Sequence, residues 1–266
     1  MREVRMDPFV ALMRRYVNDY TNRHDTTVCR ELMEPDYTLR MGPHVLTGRD
    51  EHYIPAAQKQ FDQFPGLCLT VHEIATNGDR LVLRFSEHGA SIRHNGARAC
   101  WQGIGLYRWN GSKLVQNFVE QDYQSRRRQF GTGVPDVVAA PATAPWDTVA
   151  APAEPAAEQV VRDWLAAGMP GDAVCFDDGD TTALQHEPRR TVDDLFSAGS
   201  AVAFRCTCAG AYNGGLDGVD PGLVGTASTV HMTGLVHIID GRVAGGTVIR
   251  DRLGMARNLI SAGAAT

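Results

Sequence analysis

The chain of 266 residues lacks a long hydrophobic run, a block of like charges and a Cys-x-x-Cys pair. No apolar stretch approaches the length that crosses a bilayer, so no membrane-spanning helix is expected. A net charge of −5 without a charged tail gives no footprint for nucleic acid or an anionic membrane, and neither partner is expected. The only basic run, Arg126 to Arg128, reads as a solvated helix face. Cysteines 29, 68, 100, 175, 206 and 208 read as free thiols of a reducing compartment. The opening residues are too polar for a signal peptide, so a cytoplasmic location is expected. No Gly-rich loop follows an apolar run, and no serine sits on a Gly-x-Ser-x-Gly turn, which argues against nucleotide-driven and serine-nucleophile chemistry. The histidines lack close spacing with acids or thiols, so no metal is expected, and Asp177, Asp178 and Asp180 imitate a calcium loop only superficially.

What the chain does have is a repeat. Residues 115–123 form an apolar β-prone run ending near Asp122, and 247–251 form another ending at Asp251, each followed by helical spacing. Between Thr132 and Glu158 five prolines stand among alanines and valines, the composition of a semi-stiff spacer. Trp146 inside it is expected to pin the spacer to one module, since an exposed indole wastes apolar area. The expected organisation is therefore a domain over 1–131, a linker over 132–157 and a second domain over 158–266.

Phe9, Leu12, Met13, Tyr16, Val17 and Tyr20 predict an amphipathic helix starting near Asp7 and Pro8. A short strand over 36–41, a helix over 50–61 and strands over 67–74, 80–88, 97–109 and 113–123 follow, with Asn77-Gly78 and Asn110-Gly111 as hairpin turns. In the second half the pattern predicts helices over 158–166 and 191–196, a strand over 201–209, and a hairpin of 229–239 with 242–250. The two copies align at an offset of 121 near Arg84 and Arg205 and of 130 near Asn110 and Asp240, so the loop over 212–221 carries the insertion. The class is α+β.

Arg84-Phe85-Ser86-Glu87-His88-Gly89, the segment Gly105 to Gly111, and Asp122 followed by Arg128 to Gly131 resemble the SnoaL-like polyketide cyclases of the nuclear transport factor 2-like superfamily, which includes ketosteroid isomerase-like members. Val202 to Thr207, Leu235 to Val243 and Asp251 to Met255 resemble them a second time. The resemblance implies two cone-shaped domains, each a strongly bent antiparallel sheet wrapped on helices around an apolar pocket, joined as an internal pseudo-dimer with further homodimerisation left open. It implies an enzyme without metal or cofactor, a cyclase or isomerase acting on a hydrophobic polyketide- or terpenoid-like small molecule. Epoxide hydrolysis or epoxide-opening cyclisation is the alternative activity. A non-catalytic small-molecule-binding or scaffolding protein is the competing class, because fold does not settle function.

Asp122 matches the acid/base aspartate of the cyclase branch. On a strand, Phe118, Glu120 and Asp122 share a face, and two carboxylates in one apolar pocket push their proton affinities apart, leaving one as acid and one as base. His44, after Gly42-Pro43, is a third catalytic candidate at the cavity mouth, because imidazole exchanges protons near neutrality. Tyr37, Arg84, His88, Trp101, Tyr107 and Phe118 are candidate substrate-binding groups; Arg84, repeated as Arg205, also reads as structural, and aromatic stripes are usually core. In the second copy Asp251 keeps the acid while Thr247 and Ile249 replace Phe118 and Glu120. His237, placed opposite Tyr107, completes the second-copy candidates, and this copy is expected to be partly degenerate.

Overall fold

The computed structural model describes residues 6–264. Helix α1 (Pro8–Arg15) begins where the Asp7 carboxylate accepts bonds from the backbone amides of Phe9 and Val10, with Pro8 in the turn where its missing N–H costs nothing. A π-helical turn over Tyr16–Thr21 prolongs its apolar stripe, so Tyr16, Val17 and Tyr20 join Phe9, Val10 and Met13 in one core. Helix α2 (Cys29–Leu32) leads into β1 (Met33–Met41) and β2 (His44–Thr47). Helix α3 (Ile54–Gln63) then precedes β3 (Cys68–Thr76), β4 (Arg80–Ser91), β5 (Ala97–Trp109) and β6 (Leu114–Gln121), and α4 (Tyr123–Thr132) closes the module. The six strands lie in the order β2-β1-β6-β5-β4-β3.

Up to α5 (Pro155–Ala166) the chain runs along the first module with one 3₁₀ turn, Pro145–Asp147. Ala142 and Ala151 donate backbone bonds of 2.9 Å to Val71 and Thr76 of β3, and Trp146 packs on the first core. The second sheet comprises β7 (Val174–Phe176), β8 (Gln185–Ala198), β9 (Ala201–Tyr212), β10 (Ala227–Ile239) and β11 (Arg242–Arg250), ordered β7-β11-β10-β9-β8, and is followed by α6 (Arg252–Gly263).

Both sheets are mixed, which corrects the antiparallel expectation: β1 runs parallel to β6 and β7 parallel to β11. Residues 191–196 are strand, not helix. A bulge between Val192 and Asp194 interrupts the alternation, so Val192, Leu195 and Phe196 acquire a helix-like spacing while β8 stays paired with β9. Ile104 pairs with Glu120 and Thr233 with Ile249, a register that places His237 at the position of Arg108 rather than Tyr107.

The sheets pack on one another. Val82, Ile104 and Leu106 of the first meet Phe196, Ala203, Leu235 and Ile249 of the second, and the Thr233 hydroxyl donates 3.1 Å to the Ile104 carbonyl at the centre. Ion pairs of Arg80 with Asp194 and of His237 with Glu73 border this apolar patch.

Candidate functional site

Strands alternate their side chains, so each sheet has one side facing its partner and one facing its own helices. In the first module the helix-facing side encloses a cavity of about 140 Å³. Leu39, Met41, Leu69, Phe85 and Val119 supply apolar wall from the strands, and Phe61 and Ala57 supply it from α3. Tyr16, Tyr20, Tyr53 and Tyr107 bring hydroxyls inward. The Tyr53 hydroxyl lies 3.1 Å from those of both Tyr16 and Tyr20, and the Tyr107 ring meets Tyr16 edge-on at 5.6 Å. Burial holds these phenols well above their ordinary titration range, so they act as neutral hydrogen-bond donors. Asn117 lines the same cavity, and its buried side-chain oxygen has no hydrogen-bond partner among the described residues. An orphaned acceptor beside phenol donors is suited to a polar group of a bound molecule.

One carboxyl group opens into this cavity. Glu87 is only 6% exposed and accepts a 2.7 Å bond from the Gln60 amide of α3. Desolvation pushes its pKa up to about 7, against the attraction of the Arg126 guanidinium. Arg126 itself stands 4.0 Å from the Tyr123 ring centre and 4.8 Å from that of Trp101, a cation held by aromatic faces. A carboxyl with near-equal populations of acid and base at neutral pH is the condition for proton transfer in either direction.

Of the residues named from sequence, Tyr107 lines this cavity and the others lie elsewhere. The face of Phe118, Glu120 and Asp122 is turned toward the second module, contrary to the expectation that it looks into the cup. Strand β6 ends at Gln121, and it is Asn117, Val119 and Gln121 that face the cavity. Asp122 is the N-cap of α4: it accepts from the Ser125 amide and from Arg252 at 2.7 Å, and its burial raises its pKa while Arg252 opposes the rise. Glu120 is fully buried, accepts the Gly42 amide at 3.0 Å and lies 3.5 Å from Arg205. Desolvation and then Asp251 push it up to about 8, with Arg205 acting against them.

Phe118 lies under the guanidinium of Arg205, 5.1 Å from its ring centre. His44 is exposed at the start of β2, within electrostatic reach of Asp251. Arg84 pairs with Glu73 on the intermodular side. His88 shares Ser86 with His72 beneath the 132–157 segment. Trp101 donates to Gln121, and Tyr37 packs edge-on against Tyr53 behind the cavity wall. Asp251 caps α6 through Gly254, and His237 meets Glu73 at 2.7 Å, so both second-copy candidates face the first module. Among the described residues no group of three His, Cys, Asp or Glu side chains is placed to hold a metal ion, and no helix is long and apolar enough to cross a membrane.

Sequence reasoning passed over Glu87, although Leu81, Leu83, Phe85 and Glu87 occupy alternate positions on β4 and so share a face. An acid ending an apolar stripe was the available signal. Tyr16 and Tyr20 belong to the apolar stripe that α1 begins, where their rings pack; their hydroxyls converge on Tyr53, just before α3.

Residues 13–117 match the family model of the SnoaL-like domain. The amino-terminal module carries a SnoaL-like domain. Solved structures similar to the chain include a candidate SnoaL-like polyketide cyclase from Jannaschia sp. CCS1, 17% identical over 47% of this chain and 92% of that one, with a TM-score of 0.44. TsrD from Streptomyces laurentii is 21% identical over 48% and 98%, with a TM-score of 0.42. IdmH from Streptomyces antibioticus, a candidate polyketide cyclase, is 18% identical over 46% and 96%, with a TM-score of 0.41. Each covers less than half of the present chain. No curated protein matches the sequence.

Proposed function

We propose that the protein is an acid/base enzyme acting on a compact hydrophobic carbonyl or enol compound, with the SnoaL-like cavity as its active site and Glu87 as the proton-transfer group. The observation that carries this reading is the convergence, in one apolar cavity, of a buried carboxyl titrating near neutrality with phenol donors and an orphaned amide oxygen. The Glu87 carboxylate takes a proton from the carbon next to the carbonyl. The oxygen of the resulting enolate accepts bonds from Tyr16 and Tyr107, which stabilise it in a site sheltered from water. Return of the proton to another carbon isomerises the compound, and attack of the enolate carbon on a second carbonyl closes a ring. Neither step uses a cofactor. A cavity of about 140 Å³ is close to the engineered void that holds benzene, which favours a substrate of about one ring at the reacting end. The second module completes the assembly as an internal pseudo-dimer.

Exchange of the α-protons of cyclohexanone in deuterated buffer, followed by NMR, tests the reading. The protein should accelerate exchange, and Glu87→Gln should lower that acceleration by about a hundredfold or more, with circular dichroism unchanged. Exchange no faster than in buffer, or equal in the variant, would remove Glu87 from the mechanism.

A further inference from the structure

The second sheet has a cavity of its own, on the side turned away from the first module. Its volume is about 450 Å³, larger than that of the first. Met169, Val174, Phe176, Leu184, Val230 and Met232 supply its large apolar side chains. The cross-strand register identifies what has changed between the two cavities. In the first, Leu69 of β3 lies opposite Glu87 of β4; in the second, Arg190 of β8 lies opposite Cys208 of β9. The acid has been replaced by a small thiol and its aliphatic neighbour by a cation, so the polarity of the site is reversed.

Arg190, partly buried at this cavity, is also a cation without a counter-charge. Arg205, Arg250 and Arg252 each hold carboxylates, whereas no carboxylate lies within ion-pairing distance of Arg190 among the described residues. Its Nη1 reaches only the Pro188 carbonyl, at 3.5 Å, and its buried Nε has no partner. The other charged groups at the cavity do not take its place. Arg250 is committed to Asp177 and to the carbonyls of Thr182 and Asp180, and Asp172 is exposed at the lip. The lining is strained as well: Met169 holds a φ of +59°, left-handed backbone that non-glycine residues adopt at a cost, and such residues cluster at ligand sites.

We propose that this cavity is a binding site for an amphipathic organic acid, its carboxylate gripped by Arg190 at the mouth and its apolar body lying among Met169, Phe176, Leu184 and Met232. A guanidinium fork matches a carboxylate with two parallel bonds, and Arg190 is the lining cation that no carboxylate already holds. The site has no acid equivalent to Glu87, so it binds without proton chemistry. The inference does not depend on the catalytic reading of the first cavity.

Isothermal titration of the full chain with decanoate and with naphthoate at neutral pH tests it. One molecule of at least one of these acids should bind, and decanol should bind more weakly than decanoate. Arg190→Gln should weaken the acid by about tenfold or more, the loss of a charge-assisted pair, while Arg190→Lys should recover part of it. Glu87→Gln should leave the titration unchanged. Arg190 is only partly buried and holds no ion pair, so its replacement leaves the fold intact by circular dichroism. Failure of both acids to bind, equal binding by Arg190→Gln, equal binding of decanol, or loss of binding in Glu87→Gln would each overturn the proposal.

Discussion

Glu87 stands on the side of β4 that carries Leu83 and Phe85, and the desolvation imposed there moves its titration from an ordinary 4.5 to about 7. The folded chain therefore holds this proton more tightly than the unfolded chain does. Below the unfolded value both states are protonated and stability is unaffected; as pH rises through the interval the folded state alone resists ionisation, and stability falls, by roughly 3 kcal/mol in total. Glu87→Gln cannot ionise and still accepts the Gln60 amide. In urea titrations the variant should match the wild type at pH 4 and exceed it by roughly 2–3 kcal/mol at pH 8. A difference that does not grow with pH would mean the carboxyl is solvated. The same residue shows how far the sequence was legible. The alternation of apolar residues on β4 assigns Glu87 a face but not which face meets helices, because both faces of this sheet are covered and an acid is tolerated on either when partnered.

Strand ends decide the roles of the repeated aspartates. Period-two alternation carried through Asp122 puts it beside Glu120 in a pocket, but β6 stops at Gln121 and Asp122 turns out as the cap of α4; Asp251 does the same for α6. The motif of an acid after an apolar run, followed by helical spacing, is thus a strand-to-helix junction, and its repetition follows from two modules needing the same junction. Sequence periodicity reports elements well inside their bounds and weakly at them, which is why Asp122 could be read either way. Asp122→Asn keeps an acceptor for the Ser125 amide while removing the charge facing Arg252, and Asp122→Ala removes both. Thermal melts should place the alanine variant below the asparagine variant by about 1 kcal/mol, the worth of a cap. The rate of proton exchange per folded molecule should remain within about threefold of wild type in Asp122→Asn. A hundredfold loss there with the fold intact would return Asp122 to the chemistry.

At the scale of the whole molecule, the two sheets hide from water what each would expose alone: Val82, Ile104 and Leu106 against Phe196, Leu235 and Ile249. The sequence pattern shows apolar residues on both faces of these strands and so calls for a cover, but a one-dimensional pattern cannot name the opposite module as that cover. At one edge of the patch the contact is ionic. Arg252 donates to Asp122 of the first module at 2.7 Å and to Asp178 and Asp180 of the second at 2.9 Å, and lies 3.3 Å from Asp177. Removing one partner from such a cluster costs more than its attraction was worth, because Asp122 stays buried without its cation, while Asp177 keeps only Arg250. Arg252→Met should therefore destabilise the protein by about 3–5 kcal/mol. Since the lost contacts belong to both modules, calorimetry should record a single transition displaced to lower temperature. Two separate transitions, with the first module melting at its original temperature, would mean that the modules are stable independently and that the intermodular carboxylates find other partners.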